Sequence, residues 1–310
     1  MSGELRKKTK DLLVIVGPTA IGKTELAIKV ALHYKTEIIS ADSRQFYREM
    51  DIGTAKPSHS ELSAVKHHYI NSHSIGDNFS VGEFEKAGLA LINELFAVHD
   101  TLILTGGSGL YIQAITEGFD DLPKASEKIR AELNALYAEQ GISRLQQMLQ
   151  ELDTVYYSEV DLNNPQRLIR ALEVCISTGT PFSAFRINKK DKRPFNIIKI
   201  GLNTGREKLY QRINKRVDLM IEAGLVDEVR SLIDSRMLNA LNTVGYSEVF
   251  DYLDNNTSLD ESIAKIKQNT RRFAKRQLTW FRKDPGIKWF EPGQYNDIID
   301  FINEERAKND

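Results

Sequence analysis

A chain of 310 residues, 41% hydrophobic and 27% charged, is long enough to bury a sizeable core and to hold one large domain with an insertion or two domains, which excludes a disordered or fibrous protein. Its 42 Lys and Arg against 43 Asp and Glu leave a formal charge of -1, so any nucleic acid must be held by a local basic patch rather than by bulk attraction. A single cysteine, Cys175, excludes an intramolecular disulfide and a multi-cysteine metal site, and suits a reducing, cytoplasmic setting.

The N-terminal run Met1 to Asp11 is polar and basic, and the apolar Leu12 to Val16 behind it is too short for an export signal or a membrane span. That apolar run of β-formers, ending at Gly17, predicts a first strand buried on both faces. Leu26, Val30 and Tyr34 recur at fourfold spacing and predict a helix over Glu25 to Lys35. A second strand is expected at Glu37 to Ser40, a helix over Val81 to Phe96, and a third strand at Thr101 to Leu104 that runs into Gly106-Gly107-Ser108-Gly109. Strands alternating with helices predict an α/β fold, a P-loop-type parallel sheet flanked by helices with ligands at the strand C-terminal ends.

From about Phe119 helical patterns follow one another until a strand at Asn196 to Leu202. The expected organisation is therefore a catalytic core formed by 1–118 and 196–310, with an α-helical insertion domain at 119–195. Within the insertion, Asn164 caps a helix opened by Pro165 and stopped by Gly179, with Leu168, Leu172, Cys175 and Ile176 on one face. Cys175 thus reads as core packing. Long helices are expected over Arg206 to Ser235, interrupted near Gly224, and over Leu259 to Lys283.

Gly17-Pro18-Thr19-Ala20-Ile21-Gly22-Lys23-Thr24 fits GxxxxGK[ST] between a predicted strand and a predicted helix. Inward amides and a helix N-terminus suit phosphate oxygens, Lys23 supplies a point charge, and the Thr24 hydroxyl is placed to ligand Mg²⁺. The loop alone fits either a nucleoside triphosphate or a departing diphosphate. Asp42 should emerge from the second strand on the same sheet edge, as a carboxylate for magnesium or as a general base. His67, His68 and His73 lack a supporting carboxylate spacing and read as structural.

The loop, Asp42-Ser43-Arg44-Gln45-Phe46-Tyr47, Asp51 to Pro57, Thr105 to Tyr111, Asn164 to Val174 and Lys275 to Arg282 recur in this order in one family. The chain resembles the bacterial tRNA dimethylallyltransferases over nearly its whole length. The resemblance implies transfer of a dimethylallyl group from dimethylallyl diphosphate to the exocyclic amine of the adenosine 3′-adjacent to the tRNA anticodon. It implies that Lys23, Thr24 and the backbone of Ala20 to Lys23 hold diphosphate with Mg²⁺, that Thr19 contacts the bridging oxygen, and that Asp42 is the base. It also implies a target base extruded from the anticodon stem-loop. The tRNA-contact positions that match are Asp42, Ser43, Arg44 and Gln45, Ser108 and Arg130, and the helix segment Gln166, Arg167, Leu168, Ile169 and Arg170.

On the last long helix, Phe273, Gln277, Trp280 and Phe281 share one side, while Lys275, Arg276 and Arg282 with their basic neighbours form the local patch that tRNA would need. Several positions depart from the family. Ile21 and Phe46 are larger than usual, and Asn242 stands where many members carry an arginine that assists at the diphosphate. That charge is then dispensable or comes from another residue. A P-loop kinase, an adenylate isopentenyltransferase and a noncatalytic RNA-binding protein are the alternatives. The insertion and the basic helix favour a macromolecular acceptor, and a monomer is expected.

Overall fold

The computed structural model describes residues 9–120, 122–123, 126–187 and 191–308, so most of the basic N-terminal run lies outside the described residues. The chain forms two compact units, Met1–Thr116 with Arg193–Asp310, and Glu117–Lys192.

The first unit begins with β1 (Asp11–Val16), α1 (Lys23–Tyr34), β2 (Ile38–Ser40), α2 (His59–Ala64), β3 (His67–His68), α3 (Val81–Leu95), β4 (Thr101–Gly106) and α4 (Gly109–Thr116). The second contains α5 (Glu127–Gln140), α6 (Ile142–Leu152), α7 (Thr154–Glu159) and α8 (Pro165–Thr178). The first then resumes with β5 (Asn196–Leu202), α9 (Arg206–Glu222), α10 (Leu225–Ser231), α11 (Tyr246–Leu253), α12 (Leu259–Phe281), β6 (Ile287–Phe290) and α13 (Tyr295–Ala307).

The six strands pair in parallel in the order β3-β2-β4-β1-β5-β6. All six residues of β1 are buried, because the strand is central and both faces are covered. Leu13 and Ile15 point into one core with Leu26, Val30 and Ile302 of α1 and α13. Leu12, Val14 and Val16 point into the other with Phe84 and Ile92 of α3 and Ile112 of α4. This doubly wound arrangement brings the ends of β1, β2 and β4 to one edge of the sheet, where a ligand is expected.

In the second unit, Asn164 caps α8 by accepting from the Arg167 amide, Pro165 occupies its first turn, and Gly179 closes it at φ +70°. Leu168, Leu172 and Cys175 pack with Leu133 of α5 and Leu145 and Leu149 of α6, so the thiol is a core group. Two short strands, β3 and β6, have no counterpart in the sequence reading. Trp289 and Phe290 lie on the second of them, against β5.

Candidate functional site

The turn between β1 and α1 is built around Gly17, whose φ of +149° strains other residues and whose hydrogen faces the Leu202 carbonyl, where a Cβ would stand 2.6 Å away. Ile21 is fully buried beneath the turn and fills the core under it, which accounts for its size. Gly22 offers no side chain to cap the first amides of α1, so these donors remain suited to an anion at the helix N-terminus. Lys23 Nζ donates to the Pro18 carbonyl at 2.9 Å. Burial pulls its pKa down to about 8, with the Asp42 carboxylate acting in the opposite direction and the Arg216 guanidinium adding to the fall.

Asp42 follows β2 on the same edge, and its Oδ1 accepts from the Arg44 amide at 3.1 Å. Phe46 is fully buried and stacks on Phe84 at 5.4 Å, with Phe79 and Tyr111 also against it. This aromatic cluster fixes the base of the Asp42 to Gln45 turn. Ser43 and Ser108 are joined through their hydroxyls, and the Ser43 amide donates to Ser108 Oγ at 3.1 Å. The other two side chains of the turn are engaged with backbone: Arg44 donates to the carbonyls of Asn239, Ala240 and Asn242, and Gln45 to those of Thr54 and Ala55.

Sequence reasoning missed Arg216, on α9. Its Nη1 donates to Thr19 Oγ1 at 3.3 Å and its Nη2 to the Ala55 carbonyl at 3.4 Å, and burial lowers its pKa while Asp42 raises it. Arg216 is thus a second cation beside Lys23 and Asp42. In the sequence it sits among Arg212 and Lys215 and looks like one member of an exposed basic helix face.

A cavity of about 770 Å³ opens between these elements of the first unit. Thr19, Asp42, Ser43, Arg44, Ser108 and Arg216 line it with polar groups, whereas Val217, Met220, Val244, Ile266, Phe273 and Trp280 give it an apolar wall. Residues Ile266, Thr270, Phe273, Gln277 and Trp280 of α12 all face it, at the spacing of one helix face. Phe273 and Trp280 are therefore cavity walls rather than core, at 38% and 39% exposure, while Phe281 is buried in the sheet core. Arg272, Lys275, Arg276, Arg282 and Lys283 are exposed, so a basic surface adjoins the cavity lined by Arg276.

The wall at Asn242 to Gly245 is held from three directions. Arg44 clasps its start, and Glu248 accepts from the Gly245 amide and from Asn269 of α12, both at 2.7 Å. Glu228 accepts from the amides of Asp51, Ile52 and Gly53 and from the Tyr246 hydroxyl at 2.6 Å. Those bonds dock the Asp51 to Pro57 segment against α11.

In the second unit Glu173 is fully buried and pairs with Arg130 through two bonds and with Arg170 at 3.3 Å. Arg170 also donates to the Pro123 carbonyl at 3.1 Å. Gln166 and Arg167 are exposed on α8. Leu168 and Ile169, in contrast, are 0% and 7% exposed in that unit's core, so their inclusion among RNA-contacting positions is corrected: alternation around the helix turns them inward.

Among the described residues no group of three or more His, Cys, Asp or Glu converges on a metal position. His67 bonds the Val65 carbonyl, His68 bonds Glu37 at 2.6 Å, and His73 stacks on Phe79 at 3.8 Å, all structural roles. The oxygen donors at the loop are the Thr24 hydroxyl and the Asp42 carboxylate. That hard, sparse set fits Mg²⁺ completed by phosphate oxygens and water, rather than a cation caged by protein alone. Among the described residues no helix is long and apolar enough to cross a membrane.

A family model described as IPP transferase matches residues 45–284. A tRNA dimethylallyltransferase of Christiangramia forsetii is 58% identical over 94% of this chain and 97% of its own length, and one of Flavobacterium johnsoniae is 50% identical over 95% and 98%. Among solved structures, a tRNA isopentenylpyrophosphate transferase from Bacillus halodurans superimposes with a TM-score of 0.71 at 39% identity, over 96% of this chain and 98% of that one. A eukaryotic dimethylallyltransferase acting on tRNA shares the fold, with a TM-score of 0.75 at 24% identity over 91% of this chain and 74% of its own.

Proposed function

The chain belongs to the IPP transferase family, and from that premise we propose that it is a tRNA dimethylallyltransferase. It transfers the dimethylallyl group of dimethylallyl diphosphate to N6 of the adenosine 3′-adjacent to the anticodon and releases diphosphate. The observation that carries this reading is a single cavity lined by Thr19, Asp42 and Arg216 on one side and by apolar side chains on the other. A diphosphate, a short hydrocarbon and a purine amine each find matching chemistry there.

The amine nitrogen attacks C1 of the dimethylallyl group as the bond from C1 to the diphosphate oxygen breaks, and the amine proton passes to the Asp42 carboxylate. An adenine amine becomes acidic only as the new bond forms, so a carboxylate of ordinary basicity suffices if it is within reach. Charge grows on the leaving diphosphate, and Lys23, Arg216, Thr19 and the loop amides neutralise it. Thr24, and Asp42 at the same sheet edge, would hold Mg²⁺, which would supply further positive charge to the phosphate oxygens. The apolar wall excludes water, which would otherwise compete for an allylic carbon.

For the acceptor, Ser43 and Ser108 present hydroxyls at the cavity beside Asp42. Arg272, Lys275, Arg276 and Arg282 hold backbone phosphates, and in the second unit Gln166, Arg167, Arg130 and Arg170 serve the same end. Buried Glu173 orients the last two. The protein works as a cytoplasmic monomer. Incubation with an unmodified anticodon stem-loop and dimethylallyl diphosphate should yield one N6-dimethylallyl adenosine and one diphosphate per turnover. Preference for ATP or for free AMP in the same assay would replace this reading with a kinase or an adenylate isopentenyltransferase.

A further inference from the structure

Gln277 lies on the inward face of α12 with 6% of its surface exposed, although its neighbours Lys275 and Arg276 are exposed. Its Oε1 accepts from the Thr19 amide at 2.8 Å, and its Nε2 donates to the Gly107 carbonyl at 2.9 Å. A carboxamide offers an acceptor and a donor on neighbouring atoms in fixed geometry at every pH, and here each atom meets its complement. The two turns it joins leave the sheet from the ends of the adjacent strands β1 and β4.

The fit at Gly107 is close. A Cβ there would strike Gln277 Nε2 and would lie 3.8 Å from Lys23 Nζ. Gly107, Gln277 and Lys23 therefore converge at one point behind the phosphate loop. The residue that Gln277 holds by its backbone, Thr19, is also the one whose hydroxyl accepts from Arg216. Loss of the carboxamide frees the first turn of the loop to move relative to both cations that flank it.

We propose that Gln277 is a positioning residue for the donor's diphosphate, pinning Thr19 to the β4 turn so that Thr19 Oγ1 and Arg216 stay aligned on the leaving group. This rests on the prenyl-transfer reading, and it gives one residue of the basic α12 segment a task separate from gripping tRNA. Misplacing groups around a reacting bond by about 1 Å costs on the order of 100-fold in rate.

The test compares the full-length wild type with Gln277→Leu and Gln277→Glu. Gln277→Leu removes both bonds at similar volume. It should weaken binding of inorganic diphosphate about tenfold and lower kcat/KM for dimethylallyl diphosphate by about 30- to 100-fold. The Kd for an anticodon stem-loop should stay within about threefold, since phosphate contacts set it. Gln277→Glu keeps the acceptor for Thr19 but regains the donor toward Gly107 only when protonated. Its activity relative to wild type should therefore rise as pH falls from 8 to 6.

Diphosphate binding and donor kcat/KM within twofold of wild type in Gln277→Leu would overturn the proposal, as would a loss shared equally by stem-loop affinity. Should the leucine variant not fold, Gln277→Glu decides: a pH profile parallel to wild type overturns the role, and recovery toward acid supports it. A wild type that binds diphosphate but prenylates nothing refutes the reaction instead, while the diphosphate arm still judges Gln277.

Discussion

Lys23 should make donor binding depend on pH in a window where a solvated lysine would be silent. Its ammonium is pulled from the ordinary 10.5 to about 8 because burial strips water from it; the Asp42 carboxylate opposes that fall and outweighs the smaller repulsion from Arg216, without restoring the ordinary value. Diphosphate binds the protonated form, so apparent affinity falls by the fraction of lysine left charged. Between pH 7 and pH 9 this amounts to about tenfold, or about 1.4 kcal/mol, whereas a lysine at its ordinary value would change affinity by only a few per cent. Calorimetric titration of dimethylallyl diphosphate, without tRNA, in buffers of differing ionisation enthalpy should show uptake of nearly one proton per donor at pH 9. Lys23→Arg, charged throughout, should bind with no such dependence. Flat affinity from pH 7 to 9 in the wild type, with no buffer effect, refutes the argument. The same shift acts on the stability of the ligand-free protein. The folded pKa lies below the unfolded one, so between about 8 and 10.5 the unfolded chain binds more protons and this group's contribution to stability rises with pH. Below pH 8 the cost of the buried charge is full, so Lys23→Met should stabilise the ligand-free protein by up to about 3 kcal/mol near pH 7, and by progressively less above pH 8.

Two substitutions test the remainder of the site. Asp42→Asn should lower single-turnover prenylation by about 100-fold or more while donor and stem-loop affinities stay within about threefold, and an unchanged rate removes it as the base. Gly53→Ala addresses the wall instead: its Cβ would sit 2.5 Å from the Tyr246 ring, whose hydroxyl Glu228 holds, so urea titration should show a loss of about 2 kcal/mol. Stability within about 0.5 kcal/mol of wild type would mean that the Asp51 to Pro57 segment is not docked by Tyr246.

The features legible in the sequence are those whose physics is local. β1 reads as a strand because both its faces are buried, which removes the polar alternation, and α8 reads as a helix because Asn164, Pro165 and Gly179 each serve one terminus. The phosphate loop and Asp42 are similarly compact signals at strand ends. β3 and β6 escaped because two- and four-residue edge strands bury little, and Lys288 in the middle of β6 faces solvent. Arg216 escaped for a different reason: it lies in a basic helical run, and only the packing of α9 against a loop 197 residues away decides which member of the run turns inward. Helical spacing did put Gln277 on the apolar side of α12, but its partners Thr19 and Gly107, 258 and 170 residues away, are visible only in the fold. Arg44 is a case where the sequence gives the place but not the bonds: it lines the cavity beside Asp42, and its guanidinium also donates to the carbonyls of Asn239, Ala240 and Asn242, which only the fold brings to it. The chemistry-bearing groups were thus legible where the backbone itself carries them, and illegible where an ordinary surface residue acquires its role from what packs over it. Asn242, where many family members carry an arginine, left two outcomes open, a dispensable charge or a cation from elsewhere, and α9 brings Arg216 to Thr19 and within the field of Asp42, where a leaving diphosphate would need its charge met.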